Sequence, residues 1–379
     1  MVVPMSDTKY WLGFNLVKGI GPAKLQALLD YYPDIETAWY AGADGLSRLG
    51  LDKRTIQSLL DARAELDLDA EYQKVEAAGI TLLTWKDPTF PRYLREIPHC
   101  PPVLYLQGEI AEADEWAVAV VGTRRLTVYG RQVVRELVTG LVQNGVTIVS
   151  GLARGIDSLA HKAALEAGGR TLAVLGSGLD NIYPPEHRKL ARQIIEQKKG
   201  AIITEYALGV KPEAKNFPPR NRIISGLSLG TIVIEAGARS GALITTNFAL
   251  EQDREVFAVP GNINSPASAG TNHLIQQGAK LVTSVEDILE ELNLTMIAER
   301  VAVQAALPES AEEAALLDSL SSTPVHIDEL SRTSGLPAAQ VSSTLTLMEL
   351  KGIVQQVGGM NYVRIRESEP VYETNKQAD

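Results

Sequence analysis

A chain of 379 residues exceeds what one hydrophobic core organises, so roughly two to four domains are expected. Its 45% apolar and 22% charged residues exclude a disordered chain, and no run of about 18 apolar residues marks a membrane helix. The net charge of −10 argues against a polyanion partner until its distribution is read. Glu115 to Pro260 carries 18 Lys+Arg against 13 Asp+Glu, and the rest carries 18 against 33; binding follows the local field of a patch rather than the whole-chain sum.

Met1 to Lys9 lacks the basic start and apolar stretch of a secretory signal, and the single cysteine, Cys100, cannot form an internal disulfide. No secretory signal is therefore visible, the cysteine says nothing against a reducing compartment, and a cytoplasmic protein is expected. Residues 1–79 read as a helical domain. Leu16 to Leu29 has the Gly-x-Gly turn and following apolar period of a helix-hairpin-helix: Gly19 and Gly21 permit the turn, and Pro22 suits the first helical position. Gly45 to Ala62 repeats the pattern more weakly, with Leu46, Leu49, Ile56, Leu59 and Leu60 facing inward. Such hairpins can offer backbone N–H groups to a phosphate. Residues 1–114 nevertheless carry 11 basic and 17 acidic side chains, so DNA contact and a structural or protein-contact role both stay open.

Residues 80–292 read as an extended Rossmann-like α/β domain. Its first part, 80–114, is Pro-rich, which disfavours helix and predicts an extended connector with edge strands; Cys100, ahead of Pro101 and Pro102, reads as structural filler. From Trp116 short apolar runs alternate with amphipathic stretches: Ala117–Val121, Val146–Ser150, Thr171–Leu175, Ala201–Thr204, Thr231–Glu235 and Glu255–Val259. Apolar, β-branched runs followed by Gly-rich turns and helices predict a central parallel sheet covered on both faces. Such a sheet binds ligands at the carboxyl ends of its strands, near a topological switch point.

Four glycine-rich turns follow predicted strands. They are Val121 to Gly130 with Gly122 and Arg124, Ser150 to Asp157 with Gly151 and Arg154, Leu175 to Pro184 with Gly176 and Gly178, and Glu235 to Thr246 with Arg239, Ser240 and Gly241. Each lets backbone N–H groups and the positive end of a helix point at an anion. One such turn means little, because any α/β fold needs glycine at these corners. Four on one edge, with an arginine in three of them, predict a phosphate-binding rim. Lys215 to Ser228 adds a basic cluster around an aromatic held beside two prolines. Here Arg220 and Arg222 would pair with phosphates, Asn221 would bond a base edge or cap the helix, and Phe217 would stack a base, the local recipe for a single strand. The plainer alternative is a core Phe217 beside a surface arginine pair.

Residues 293–313 read as a linker, 314–367 as a winged-helix domain and 368–379 as a solvated tail. Three helices (Glu312–Leu320, Ile327–Ser334, Ala338–Lys351) precede a ribbon, Ile353–Val357 and Asn361–Ile365, that turns at Gly358 and Gly359. The candidate recognition helix, Pro337 to Leu350, contains no Lys or Arg. Lacking a phosphate-neutralising side chain, it favours protein contact over duplex reading.

Several chemistries are disfavoured. Gly176-Ser-Gly178 lacks the third glycine of the dinucleotide fingerprint, with Asn181 in its place, and no Gly-Lys-Ser/Thr phosphate loop occurs. The five histidines lack metal-ligand spacing, and His161, one turn after Asp157, reads as a helix-face hydrogen bond. No cofactor, metal or catalytic residue is expected.

Val121–Arg124, Ser150–His161, Gly176–Pro184, Phe217–Ser228 and Ala238–Thr246, in this order, resemble the DNA processing protein A (DprA/Smf) family, from Tyr10 to Glu290 and into the winged-helix tail. The resemblance implies a sterile-alpha-motif-like N-terminal domain and an extended Rossmann fold that forms a homodimer. It implies non-catalytic single-stranded DNA binding that protects incoming strands, and delivery of RecA during natural transformation, with no membrane insertion. It places the pocket at Gly122, Arg124, Lys215, Phe217, Arg220, Asn221 and Arg222. Two rivals stand beside it. Gly230-Thr-Ile-Val-Ile-Glu235 resembles the Gly-Gly-x-Gly-Thr…Glu turn of lysine-decarboxylase-like nucleotide phosphoribohydrolases, with Glu235 as the acid, although Ser228-Leu-Gly230 replaces the double glycine. The other is a structural adaptor that binds no nucleic acid.

Overall fold

The computed structural model describes residues 5–294, 310–320, 324–350 and 354–364. The chain divides into two units, Met1–Thr295 and Met296–Asp379. Most of the expected linker and all of the expected tail lie outside the described residues. Among the described residues no helix is long and apolar enough to cross a membrane.

Six short helices open the first unit: α1 (Met5–Leu16), α2 (Pro22–Tyr31), α3 (Ile35–Trp39), α4 (Ala43–Arg48), α5 (Lys53–Glu65) and α6 (Leu68–Ala77). Pro22 begins α2, where its missing N–H costs nothing. Asp34, Asp52 and Asp67 start α3, α5 and α6 by accepting N–H groups of the first turn. Of the two turn glycines, Gly19 has φ +95° and needs to be glycine, whereas Gly21 at φ −97° does not. Trp11, Phe14, Leu28, Leu46 and Leu59 are buried between these helices, and the same core runs on into Tyr105, Leu175 and Leu190 of the following segment. The Tyr105 hydroxyl also donates to Asn15 Oδ1 at 2.9 Å. Residues 1–79, expected as a domain of their own, therefore share one unit with the sheet, because the short helices leave apolar surface that the strands cover.

The sheet follows: β1 (Thr81–Thr84), α7 (Arg92–Arg95), β2 (Val103–Gly108), β3 (Ala117–Val121), α8 (Val128–Gln143), β4 (Thr147–Ser150), α9 (Ile156–Glu166), β5 (Thr171–Val174), α10 (Arg188–Glu196), β6 (Gly200–Thr204), α11 (Phe217–Gly226), β7 (Gly230–Val233), α12 (Ala242–Glu251), β8 (Glu255–Ala258), α13 (Ala269–Gln276), β9 (Lys280–Leu281) and α14 (Glu286–Glu291). Nine strands lie in the order β1-β2-β6-β5-β4-β3-β7-β8-β9. β1 and β2 join antiparallel at one edge, so the Pro-rich connector is part of the sheet; the rest is parallel. Alternation along each strand fills two cores. Leu82, Tyr105, Ala173 and Ile202 face the N-terminal helices and α10, whereas Leu83, Leu104, Leu172, Val174 and Ile203 face α7, α11, α12 and α13. From β3 the chain moves outward through β4, β5 and β6, then returns to β7 on the other side of β3. That reversal is the switch point, where a crevice opens beyond the strand ends.

In the second unit, helices Ala311–Ser319, Ile327–Ser334 and Ala338–Leu350 pack on a three-stranded sheet in which Asn361–Arg364 lies between Val325–His326 and Val354–Gln356. Leu316, Leu330, Val341, Leu345 and Met348 form its core. Gly335, at φ +72°, ends the middle helix in the left-handed region. This is the expected winged helix.

Candidate nucleic-acid interface

Beyond the ends of β3 and β7 lies a cleft of about 880 Å³. Its first wall is the loop Gly122–Arg125. A Cβ on Gly122 would lie 2.7 Å from Ile156 Cγ1 and 2.9 Å from the Glu235 carbonyl oxygen, so glycine is what lets the loops after β3 and β7 close up. Thr127 caps α8 by accepting from Gly130 N at 3.1 Å. Its own N–H and hydroxyl donate to the two Glu235 carboxylate oxygens at 3.0 and 2.5 Å. Glu235 is 2% exposed. Thus occupied and outside the cleft lining, it braces two loops and does not present an acid to a ligand, unlike the phosphoribohydrolase reading.

The second wall is the turn Gly237–Gly241 before α12, and the third is the first turn of α11, with Phe217, Pro218 and Asn221. The Phe217 ring rests on Gly176, where a Cβ would come within 2.8 Å of its Cδ1, and it meets Tyr183 with ring centroids 5.7 Å apart. Phe217 is half-buried and Tyr183 is 39% exposed, so the pair is partly open to solvent. The sequence reading singles out Phe217 and misses Tyr183, although an aromatic between a glycine turn and Pro184 was a visible signal.

Four arginines line the cleft (Arg124, Arg125, Arg220 and Arg239) against the one carboxylate of Asp157. Arg124, Arg125 and Arg239 are exposed and have no ion-pair partner among the described residues. Such solvated, unpaired guanidinium groups can take a phosphate without first breaking an internal pair.

Other expected phosphate partners are already bonded within the protein. Arg220 is 4% exposed; it donates to the carbonyls of Gly151, at 2.9 Å, and Val174, and burial lowers its pKa to about 10. Arg220 also explains Gly151, whose Cβ would lie 2.8 Å from Arg220 Nη2. Arg222 forms a two-pronged pair with Glu205 at 2.5 and 2.7 Å. Lys215 pairs with Glu213 at 2.6 Å and Arg154 with Glu186 at 2.6 Å, both at the surface. Asn221 lines the cleft, half-buried. The expected amide lining is thinner than the glycines suggest. Gly151 N and Ala153 N donate to Asp157 at 3.1 and 3.4 Å, Gly178 N to the Val210 carbonyl at 2.9 Å, and Thr123 N to the Glu235 carbonyl at 2.7 Å. In the fourth turn Ser240 holds Ala242 N at 3.3 Å.

Behind the cleft His161 does not bond Asp157. It is fully buried, and its Nδ1 lies 2.6 Å from Thr171 Oγ1, whose hydroxyl proton goes to the Ile148 carbonyl at 2.8 Å. Nδ1 is therefore the donor, and Nε2, with no hydrogen-bond partner among the described residues, is unprotonated. Burial, with His187 and Arg220 nearby, lowers the pKa from 6.5 to about 3. The unfolded chain thus binds the extra proton first, so stability from this group is present above about pH 6.5 and lost as pH falls toward 3. Denaturation midpoints measured across that window should fall with pH, and the His161→Asn variant should show a shallower fall.

The class defined by these features is that of an open α/β sheet with a cationic, aromatic-walled cleft at its switch point, followed in the chain by a winged helix. The chain belongs to the DNA recombination-mediator protein A family: residues 81–293 match that family's model, and residues 300–360 match the DprA winged helix domain. It is 37% identical over 377 residues to protein Smf of Escherichia coli, covering 98% of this chain and 99% of that one. The X-ray structure of DNA processing protein A from Streptococcus pneumoniae superposes with a TM-score of 0.66 at 36% identity, covering 75% of this chain and 97% of that one. DNA processing protein A from Helicobacter pylori, whose structure concerns a single-stranded DNA binding mode, gives 0.50 at 30% identity over 56% of this chain and 95% of that one.

Proposed function

We propose that this protein binds single-stranded DNA in the switch-point cleft without catalysing a reaction, and that as a homodimer it protects the strand and passes it to RecA during transformation. The observation that carries the reading is the convergence of Arg124, Arg125 and Arg239 with the Phe217–Tyr183 pair on one opening. Cations neutralise the backbone while rings stack bases, and a duplex hides the base faces such rings need. The single-strand binding mode of the Helicobacter pylori relative supports the same assignment.

A mobility-shift titration from 50 to 200 mM salt tests it, with matched oligothymidylate and duplex. Wild type should prefer the single strand and weaken steeply with salt. Arg124→Ala combined with Arg239→Ala should flatten the log–log salt slope by about 1.4, that is about 0.7 per lost phosphate contact. A wild-type affinity independent of salt, or equal for duplex, would overturn the proposal.

A further inference from the structure

A second basic groove, of about 340 Å³, adjoins the cleft across Arg124, which lines both; its other walls include Arg131, Lys162, Leu126, Ser158 and Leu159. The close crossing at Gly155 makes the two continuous. Gly155 has φ +83°, and a Cβ there would lie 2.2 Å from the Thr123 carbonyl oxygen, so the start of α9 tucks directly under the Arg124 loop. Arg131 and Lys162 are exposed, have no ion-pair partner among the described residues, and face no carboxylate in the groove. Arg131 sits in the first turn of α8, where the positive end of the helix opposes a cation. At that helix end the Glu235 carboxylate is held by Thr127 on the buried side, and no carboxylate lines the groove side.

The groove offers no ring to stack on, and the Ser158 hydroxyl is already bonded to the Gly155 carbonyl at 3.2 Å. Such a surface suits a polyanion backbone passing over it more than a nucleotide gripped in place. Resting on the reading of the cleft as a single-strand site, we propose that the strand leaves the cleft over Arg124 and lays its next phosphates on Arg131 and Lys162. The footprint per chain is then longer than the cleft alone.

The test compares oligothymidylates of about 5 and about 16 nucleotides, the range of site sizes that single-strand grooves span, on wild type, Arg131→Ala with Lys162→Ala, and Arg131→Lys with Lys162→Arg. For the long strand the alanine pair should lose affinity on the order of twentyfold at 0.1 M salt, shrinking toward 1 M, as two lost contacts of slope about 0.7 each imply. The short strand should bind as to wild type, and the charge-conserving pair should keep long-strand affinity. Unchanged long-strand binding by the alanine pair, or equal losses for both lengths, would overturn the exit groove while leaving the cleft intact. Failure of the cleft reading itself would show separately, as wild type binding neither strand.

Discussion

Replacing Phe217 with alanine should weaken single-strand binding by about 1–3 kcal/mol for each base stacked on it. The ring is set for stacking by local sequence. Phe217 opens α11, the following prolines fix the approach, and Gly176 leaves room for the ring beside the loop after β5. The packing of α11 is carried by Ile223 and Ile224, at 0% and 1% exposure, so the variant should fold. The readout is a titration with oligothymidylate beside a thermal melt of the free protein. Wild-type affinity with an unchanged melt would mean that no base stacks there.

Asp114→Ala should cost about 3–5 kcal/mol of stability, the range for a buried pair broken on one side. Asp114 is 5% exposed and accepts four hydrogen bonds: from Arg170 Nε and Nη2, from Thr147 Oγ1 and from Ala111 N, each at 2.8 Å. It joins the turn before β3 to the strands β4 and β5, and its loss leaves the Arg170 guanidinium, 19% exposed, with the more distant Glu109 carboxylate at 3.8 Å. Urea denaturation of the full chain reads the effect. Since Asp114 lies outside the cleft lining, the folded fraction should bind DNA as wild type does. A midpoint equal to wild type would refute the account.

The central fold was legible because it is written in short-range pattern. The six apolar runs coincide with β3 to β8 within a residue or two, and the winged helix follows the same logic, down to the Gly358–Gly359 turn between its last strands. The cleft could be placed at a switch point because that is a property of any doubly wound sheet. Less was legible inside it. Arg220 and Arg222 look equivalent in Arg-Asn-Arg, yet two steps along a helix turn side chains to nearly opposite faces. One drops beneath the cleft to the Gly151 carbonyl, and the other reaches Glu205.

Sequence alone determined where strands and helices alternate, and that a basic, aromatic-bearing segment opens α11, since these depend on neighbours a few residues away. Tertiary structure decided which cations remain available. Arg222 is neutralised by a carboxylate 17 residues off and Arg154 by one 32 residues off, while Glu235 is taken up by a threonine 108 residues away. Charge interactions fall with distance in space, not along the chain. Arg124, Arg125 and Arg239 have no ion-pair partner among the described residues, because the one carboxylate lining the cleft, Asp157, accepts from Gly151 N and Ala153 N instead.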